Sequence, residues 1–501
     1  MPEGGWRRER QLSFAAGVPM DMITGEAARE AGGRFGAPPA PLSPIAPLIV
    51  GSALLMQGID GTAITVALPA MAQALGTDVL RMNLAVSAYL LSIAVFIPAS
   101  GWIGERFGAR TSFCWAIGLF ILASLFCGLA TSLPQLIAAR VMQGIGGAMM
   151  APVGRLMMLR AVPRHDYVRA ISLYTAPALM GPVLGAPLGG LIVQLSSWHW
   201  IFFINIPLGF IGIAATLHHV PDLRSPHPGP FDLPGFLLLG MGLCCGTLAL
   251  TGIAGSMEWQ AIALLTLIGL IALPLAVLHA RRARHPLLDL KLLRVHSFRV
   301  VMQYGTLWRV TVAGIPILLA LLLQVGLGLG PLASGLILFT SGAGALAMKA
   351  VAGTILHRFG FRRVMIANAV IAALFGLSYA LFDAGSPLWL LIPALFLGGV
   401  SRSLQYTGLG TLAFADLPDP AMGRASALAS MSQELAQSLG VSIAALLIQL
   451  AMVARHGSEV AAADIRLALA LMGALGLIAS LGFCALNEED GDAIRLRPDR
   501  R

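Results

Sequence analysis

Gly101-Trp102-Ile103-Gly104-Glu105-Arg106-Phe107-Gly108-Ala109-Arg110 and Gly353-Thr354-Ile355-Leu356-His357-Arg358-Phe359-Gly360-Phe361-Arg362-Arg363 spell nearly the same phrase twice. Each stretch follows a long apolar run and precedes another. A Gly/Arg connector repeated between apolar runs points to two related helical bundles, the internal duplication on which many membrane transporters are built.

Composition agrees. The chain of 501 residues is 57% hydrophobic and only 11% charged, with a mean hydropathy of +0.80. Soluble domains carry roughly a quarter charged residues, so this balance belongs in a bilayer. A net charge of +9 would suggest nucleic acid in a soluble protein. Here it reads as loops anchored on one membrane face, and no nucleic-acid partner is expected. Cys114, Cys127, Cys244, Cys245 and Cys484 all lie in apolar runs and read as small core residues, not as disulfides or metal ligands. Residues 1–44 are polar, with Asp21, Glu26, Glu30 and Pro38-Pro39 where an export signal would need an apolar core. They are expected to form a disordered cytoplasmic tail.

A spanning helix needs about 20 mostly apolar residues. That rule predicts fourteen spans, near 45–70, 83–103, 111–130, 134–159, 168–192, 199–218, 233–254, 259–279, 299–323, 332–353, 364–383, 388–411, 426–452 and 465–486. With both termini inside, 25 of the 33 Lys and Arg fall on the cytoplasmic side, and only Arg81, Arg455 and Arg466 fall outside. This asymmetry sets the orientation. The two motif connectors follow spans 2 and 10, eight helices apart, where a duplicated six-helix bundle would place them six apart. Two extra helices therefore lie between the halves. The predicted organisation is an all-α integral membrane protein: a bundle over 45–218, two inserted helices over 233–279, a cytoplasmic loop 280–298, a second bundle over 299–486 and a cytoplasmic tail 487–501.

Further motifs fall in order along this frame. Span 1 carries Asp60-Gly61-Thr62-Ala63-Ile64-Thr65-Val66-Ala67-Leu68-Pro69, and span 4 carries Arg140-Val141-Met142-Gln143-Gly144-Ile145-Gly146-Gly147. Span 5 carries Gly181-Pro182-Val183-Leu184-Gly185-Ala186-Pro187-Leu188-Gly189-Gly190, followed by Ser197-Trp198-His199-Trp200 through Asn205 and Pro207. Together with the connectors, these resemble the fourteen-helix drug:proton antiporter branch of the major facilitator superfamily over about 45–486. Three positions depart from that pattern. Glu105 stands where the connector usually has Asp, Thr65 replaces an Asn, and Pro187 is displaced by one, which leaves the kink of span 5 open.

Charge within a bilayer costs about 3 kcal/mol or more per group, so each buried ion needs a reason. The deep candidates are Asp60, Arg140, Arg155, Arg309, Lys349, Arg402 and Glu434. Arg155 and Lys349 lie near helix ends and can snorkel to water. In the superfamily fold the first and fourth helices of each bundle line a central cavity. The resemblance therefore implies that Asp60, Arg140, Arg309 and Arg402, with Gln143, face that cavity. A structural pin remains the competing reading for the arginines. Arginine keeps its proton, so coupling must run through a carboxyl, with Asp60 foremost and Arg140 tuning it. Glu434 is either a second titrating site or a partner for Arg309 or Lys349. By resemblance, Glu105, Arg106 and Arg110 latch a cytoplasmic gate, with Gly101 and Gly108 permitting close helix approach and a tight turn; a positive-inside anchor is the bland alternative. Gly181, Pro182, Gly185, Gly189 and Gly190 form the antiporter helix motif, expected to let one bundle rock against the other.

The histidines lie in loops or at helix ends, and the chain carries neither an HExxH motif nor a phosphate loop. The expectation is a secondary transporter, not an enzyme, without metal or cofactor and driven by the proton gradient. The resemblance implies a monomer in a bacterial inner membrane that exports drugs or antiseptics, with a periplasmic adaptor left open as a partner. A second reading gives it an organic acid or metal-chelate anion as cargo, because Asp60 is opposed by Arg140, Arg309 and Arg402. A remote third, a membrane sensor or scaffold, lacks an output domain.

Overall fold

The computed structural model describes residues 45–161, 167–220, 230–254, 257–383, 385–417, 422–457 and 459–491; the tail expected over 1–44 lies outside them. Among the described residues there are no strands, and fourteen helices are long and apolar enough to cross a membrane. Spans 1 to 6 are Ile45–Ala74, Val79–Phe107, Ala109–Gly128, Leu133–Met158, Leu173–Leu195 and Trp200–His219. Spans 7 and 8 are Leu233–Ile253 and Trp259–Arg282. Spans 9 to 14 are His296–Gly326, Pro331–Phe359, Phe361–Leu381, Leu388–Ala415, Met422–Ala454 and Ala462–Ala485.

Several helices outrun their apolar stretches. Span 2 continues through Glu105 and Arg106 to Phe107, so most of the first motif connector is helix. What remains of the connector is one residue, Gly108, at φ 91°; its counterpart Gly360 sits at φ 83°. A side chain at such φ would crowd the backbone, so glycine lets each helix pair reverse without a longer loop. The repeat in the sequence is thus a repeat in backbone geometry.

Packing repeats as well. Spans 1 and 5, 2 and 4, 3 and 4, and 3 and 6 pack together, and so do their counterparts 9 and 13, 10 and 12, 11 and 12, and 11 and 14. The two halves meet through span 2 against span 13 and span 5 against span 10, contacts that the same duplication exchanges. Span 7 lies against spans 2 and 13, and span 8 packs on span 7. Span 8 presents Leu264, Leu267, Leu270 and Ile271 outward, as lipid contact requires.

The helix motif of span 5 explains the tightest packing. A Cβ at Gly181 would lie 2.7 Å from the Leu55 carbonyl, and one at Gly189 would lie 2.6 Å from that of Ala63. Gly185 falls between them against Ile59 and Thr62, so three glycines four residues apart form a groove for span 1. Gly190 points elsewhere, onto Pro331 and Leu332 of span 10. The helix runs unbroken past Pro177, Pro182 and Pro187, so the displaced proline does not interrupt it. Gly101 is a correction. It is exposed with nothing near a would-be Cβ, and Gly104 makes the contact instead, against Val153 and Leu156.

The loop expected over 280–298 is partly ordered into helix. Leu290–Arg294 forms a 3-10 turn, and span 9 begins at His296. Span 9 also contains two π-helical turns, Val301–Gly305 and Leu322–Gly326.

Candidate functional site

The polar centre of the first half is built from four spans. Asp60 on span 1 receives Arg140 Nη1 at 2.6 Å on Oδ2. Its Oδ1 accepts from Gln143 Nε2 at 3.1 Å and Asn205 Nδ2 at 3.0 Å. Gln143 and Asn205 both also donate to Ser124 Oγ on span 3, at 2.8 and 3.3 Å. Arg140 stacks 4.0 Å from the centre of the Tyr89 ring and donates to the Gln143 Oε1 at 2.5 Å and, weakly, to the Ala85 carbonyl at 3.4 Å. Asp60 and Arg140 are each 0% exposed.

This geometry departs from the expectation that Asp60, Arg140 and Gln143 face a crevice shared by the halves. In this conformation they lie within the first half, walled in by spans 1, 3, 4 and 6. The reason is electrostatic: two opposite charges at this depth lose water cheaply only together, with every remaining lone pair met by a donor. Asn205 was named only within the motif entering span 6, not as a site residue, and Ser124 was not named at all. Asn205 could have been singled out, as an amide in the apolar span 6, whereas Ser124 carries no such signal.

The second half has no such balance. Arg309 on span 9 is 3% exposed, yet its Nε and Nη1 have no hydrogen-bond partner. The Tyr406 ring of span 12 has its centre 6.0 Å from the Arg309 guanidinium. Arg402 is half-buried and donates to Ser341 Oγ at 3.3 Å. Glu434 on span 13 is partly exposed, on a helix that packs against span 2 of the other half. It forms no ion pair with Arg309 or Lys349 among the described residues; Lys349 donates instead to Thr407 Oγ1 at 3.0 Å. Of the two carboxyls at membrane depth, Asp60 is sealed in and Glu434 lies between the halves.

The halves are joined by buried contacts toward one end. Ser87 Oγ and Ser442 Oγ are 3.2 Å apart, Ser438 Oγ donates to the Ser87 carbonyl at 3.2 Å, and Gln324 Nε2 donates to the Val66 carbonyl at 2.9 Å. With Gly190 against span 10, all of these lie toward the face carrying residues 75–78 and 327–330. Toward the opposite, arginine-rich face, Arg155 Nη1 donates to Ser426 Oγ at 2.9 Å in an exposed contact, and its Nη2 donates to Tyr174 Oη at 3.3 Å. Gly101 and its counterpart Gly353 both stand in open space there. Glu105 and Arg106 are exposed and form no ion pair among the described residues, while Arg110 donates to the Val220 carbonyl at 3.1 Å within its own half. The expected latch is not engaged in this conformation.

A profile of the Major Facilitator Superfamily matches residues 50–440 and again 300–501. The chain belongs to that superfamily. MdtD proteins, named for multidrug resistance, of Escherichia fergusonii and Shigella flexneri are each 41% identical over 403 residues, covering 80% of this chain and 85% of theirs. A D-xylose-proton symporter shares the fold at TM-score 0.64 and 15% identity, over 89% of this chain and 98% of its own. A peptide transporter of the POT family, crystallised with 5-aminolevulinic acid, does so at 0.65 and 14%, over 92% and 98%. The superfamily fold, the fourteen spans and these relatives make the chain a multi-pass membrane transporter.

Proposed function

We propose that this transporter is a proton-coupled exporter of small molecules working by alternating access, with its arginine-rich face and both termini in the cytoplasm. The asymmetry of the basic loops supports that orientation. The halves then meet through buried contacts at the periplasmic side in this conformation, while the Arg155–Ser426 contact toward the cytoplasm is exposed; we read this as the state that loads cargo for export. MdtD proteins carry multidrug resistance in their name, and export of toxic small molecules fits that kinship.

The observation that carries the coupling is the sealed Asp60–Arg140 pair. Protonating Asp60 in place would strand a buried guanidinium, at a cost of about 3–5 kcal/mol. Proton uptake must therefore accompany a rearrangement that gives Arg140 water or another acceptor. Such a carboxyl links proton occupancy to the position of spans 1 and 4. The close Asp60–Arg140 pair fits a transporter that has already released its proton inward. Glu434, partly exposed between the halves, is the second carboxyl able to exchange protons with the cavity.

In liposomes containing the purified protein, an imposed pH gradient should drive uphill movement of an exported dye, and a protonophore should abolish it. Dye movement indifferent to the gradient would exclude proton coupling.

A further inference from the structure

Arg309 and Arg140 are the buried arginines of spans 9 and 4, one in each half, and their surroundings differ. Arg140 has a carboxylate, an amide oxygen and a tyrosine face at 4.0 Å. Arg309 is 3% exposed and has two unpartnered nitrogens. The Tyr406 ring, 6.0 Å from its guanidinium, stands at the limit where a cation–π contact still contributes. Among the described residues Arg140 leaves one nitrogen, Nη2, without a partner but is neutralised by Asp60, whereas Arg309 leaves Nε and Nη1 without partners and has no carboxylate beside it.

A buried guanidinium without an acceptor is expensive. It persists where something else provides the acceptor during the working cycle. Tyr406 marks where that acceptor would sit, since its ring lies toward Arg309 and Arg402 stands four residues before it on the same helix face. Arg402 has only a hydroxyl, Ser341 Oγ at 3.3 Å, as its own partner. Arg155 and Lys349, nearer the arginine-rich face, are likewise held by hydroxyls. Because Asp60 and Arg140 cancel one another inside the first half, the remaining charges within the spans are mostly cationic among the described residues: Arg155, Arg309, Lys349 and Arg402, opposed by Glu434. Glu434 can lose its charge by taking a proton; the arginines cannot lose theirs.

We infer that Arg309, assisted by Arg402 across Tyr406, docks a carboxylate of the exported molecule, so that the cargo is an organic acid or a zwitterion bearing one. A planar carboxylate matches the forked donors of a guanidinium, and the low-dielectric site strengthens the pair. Arg155 and Lys349 draw the anion inward from the cytoplasmic mouth. The proton site is separate, walled inside the first half, so cargo and proton communicate through conformation and not by competing for one group. The inference rests on the antiport reading above.

Inside-out vesicles energised to an acidic interior test it with two membrane-impermeant probes of similar size, phthalate and benzyltrimethylammonium. Phthalate should collapse the pH gradient in vesicles carrying the protein and not in vesicles lacking it. Arg309→Gln should raise the half-saturating phthalate concentration about tenfold or more, the factor lost with one charged contact. Arg309→Lys should recover part of the affinity, and Arg402→Gln should show a smaller loss. Should Arg309→Gln fail to fold, the Arg309→Lys and Arg402→Gln variants decide. A response to benzyltrimethylammonium alone would overturn the carboxylate site and leave antiport standing. Phthalate affinity unchanged in the Arg309 and Arg402 variants would also overturn it. No response to either probe would remove the antiport reading and this inference with it.

Discussion

Asp60 Oδ2 and Arg140 Nη1 stand 2.6 Å apart on spans 1 and 4, and neither side chain touches solvent. Deleting one member of such a pair leaves the other charged, buried and alone. Asp60→Asn is therefore expected to lower unfolding free energy by about 3–5 kcal/mol, read as a drop in melting temperature in detergent. Arg140→Gln should do the same. The double variant should recover most of the loss, because no stranded charge remains; additive losses would show that the pair is not the source of the cost.

Ser87 and Ser442 offer a lock on the sealed face. Their hydroxyl oxygens lie 3.2 Å apart across the two halves, close enough for a cysteine pair to oxidise without large backbone movement. In a background without the native cysteines, Ser87→Cys with Ser442→Cys should cross-link on oxidation, stop transport and regain it on reduction. Full transport by the cross-linked protein would mean that this face does not open during the cycle.

Neighbouring glycines of span 5 should fail in different ways. Gly189→Val drives a side chain into span 1 within its own half, so stability should fall by about 1–3 kcal/mol from overpacking. Gly190→Val strikes Pro331 and Leu332 of the other half. It should spare the fold, disfavour the sealed conformation and raise the reactivity of a cysteine at position 442 toward impermeant thiol reagents several-fold. Equal stability losses for both would remove the distinction.

Asp232 ties the inserted helices to the loop that follows them, accepting from His279 Nε2 at 2.7 Å, Gly235 N at 3.0 Å and Leu287 N at 2.9 Å. Partial burial pushes its carboxyl upward, but these donors prevail and hold it below the ordinary value of 3.8. A depressed carboxyl contributes stability above its unfolded value and loses it as pH falls through the folded one. Melting temperatures of wild type and Asp232→Asn should therefore differ at pH 6 and converge as pH falls below about 3.8. A constant difference over that range would argue against the carboxylate network.

Much of this architecture is legible in the chain because a bilayer imposes simple rules. Apolar runs must become helices, and a glycine at each motif connector must turn them, so Gly108 and Gly360 predicted the repeat that packing then displays. The site was harder to read. Asp60, Arg140 and Gln143 were recognisable as deep polar groups, but which way they face depends on spans 3 and 6, and Ser124 gives no warning that it will complete their network. Arg309 and Arg402 looked alike in the sequence; one is buried without partners and the other rests on Ser341. Those differences arise from rotation of whole helices, which apolar periodicity does not specify when all sides are apolar. Glu105 and Arg106, expected to latch a gate, are exposed in this conformation and form no ion pair among the described residues.

The most direct test follows protons in inside-out vesicles when cargo is added, comparing wild type with the Asp60→Asn/Arg140→Gln double variant, which removes the carboxyl without stranding a charge. The account predicts that cargo releases protons from the acidic interior in wild type, and that the double variant still exchanges cargo down its gradient without moving protons. Proton release of wild-type size from the double variant would contradict it.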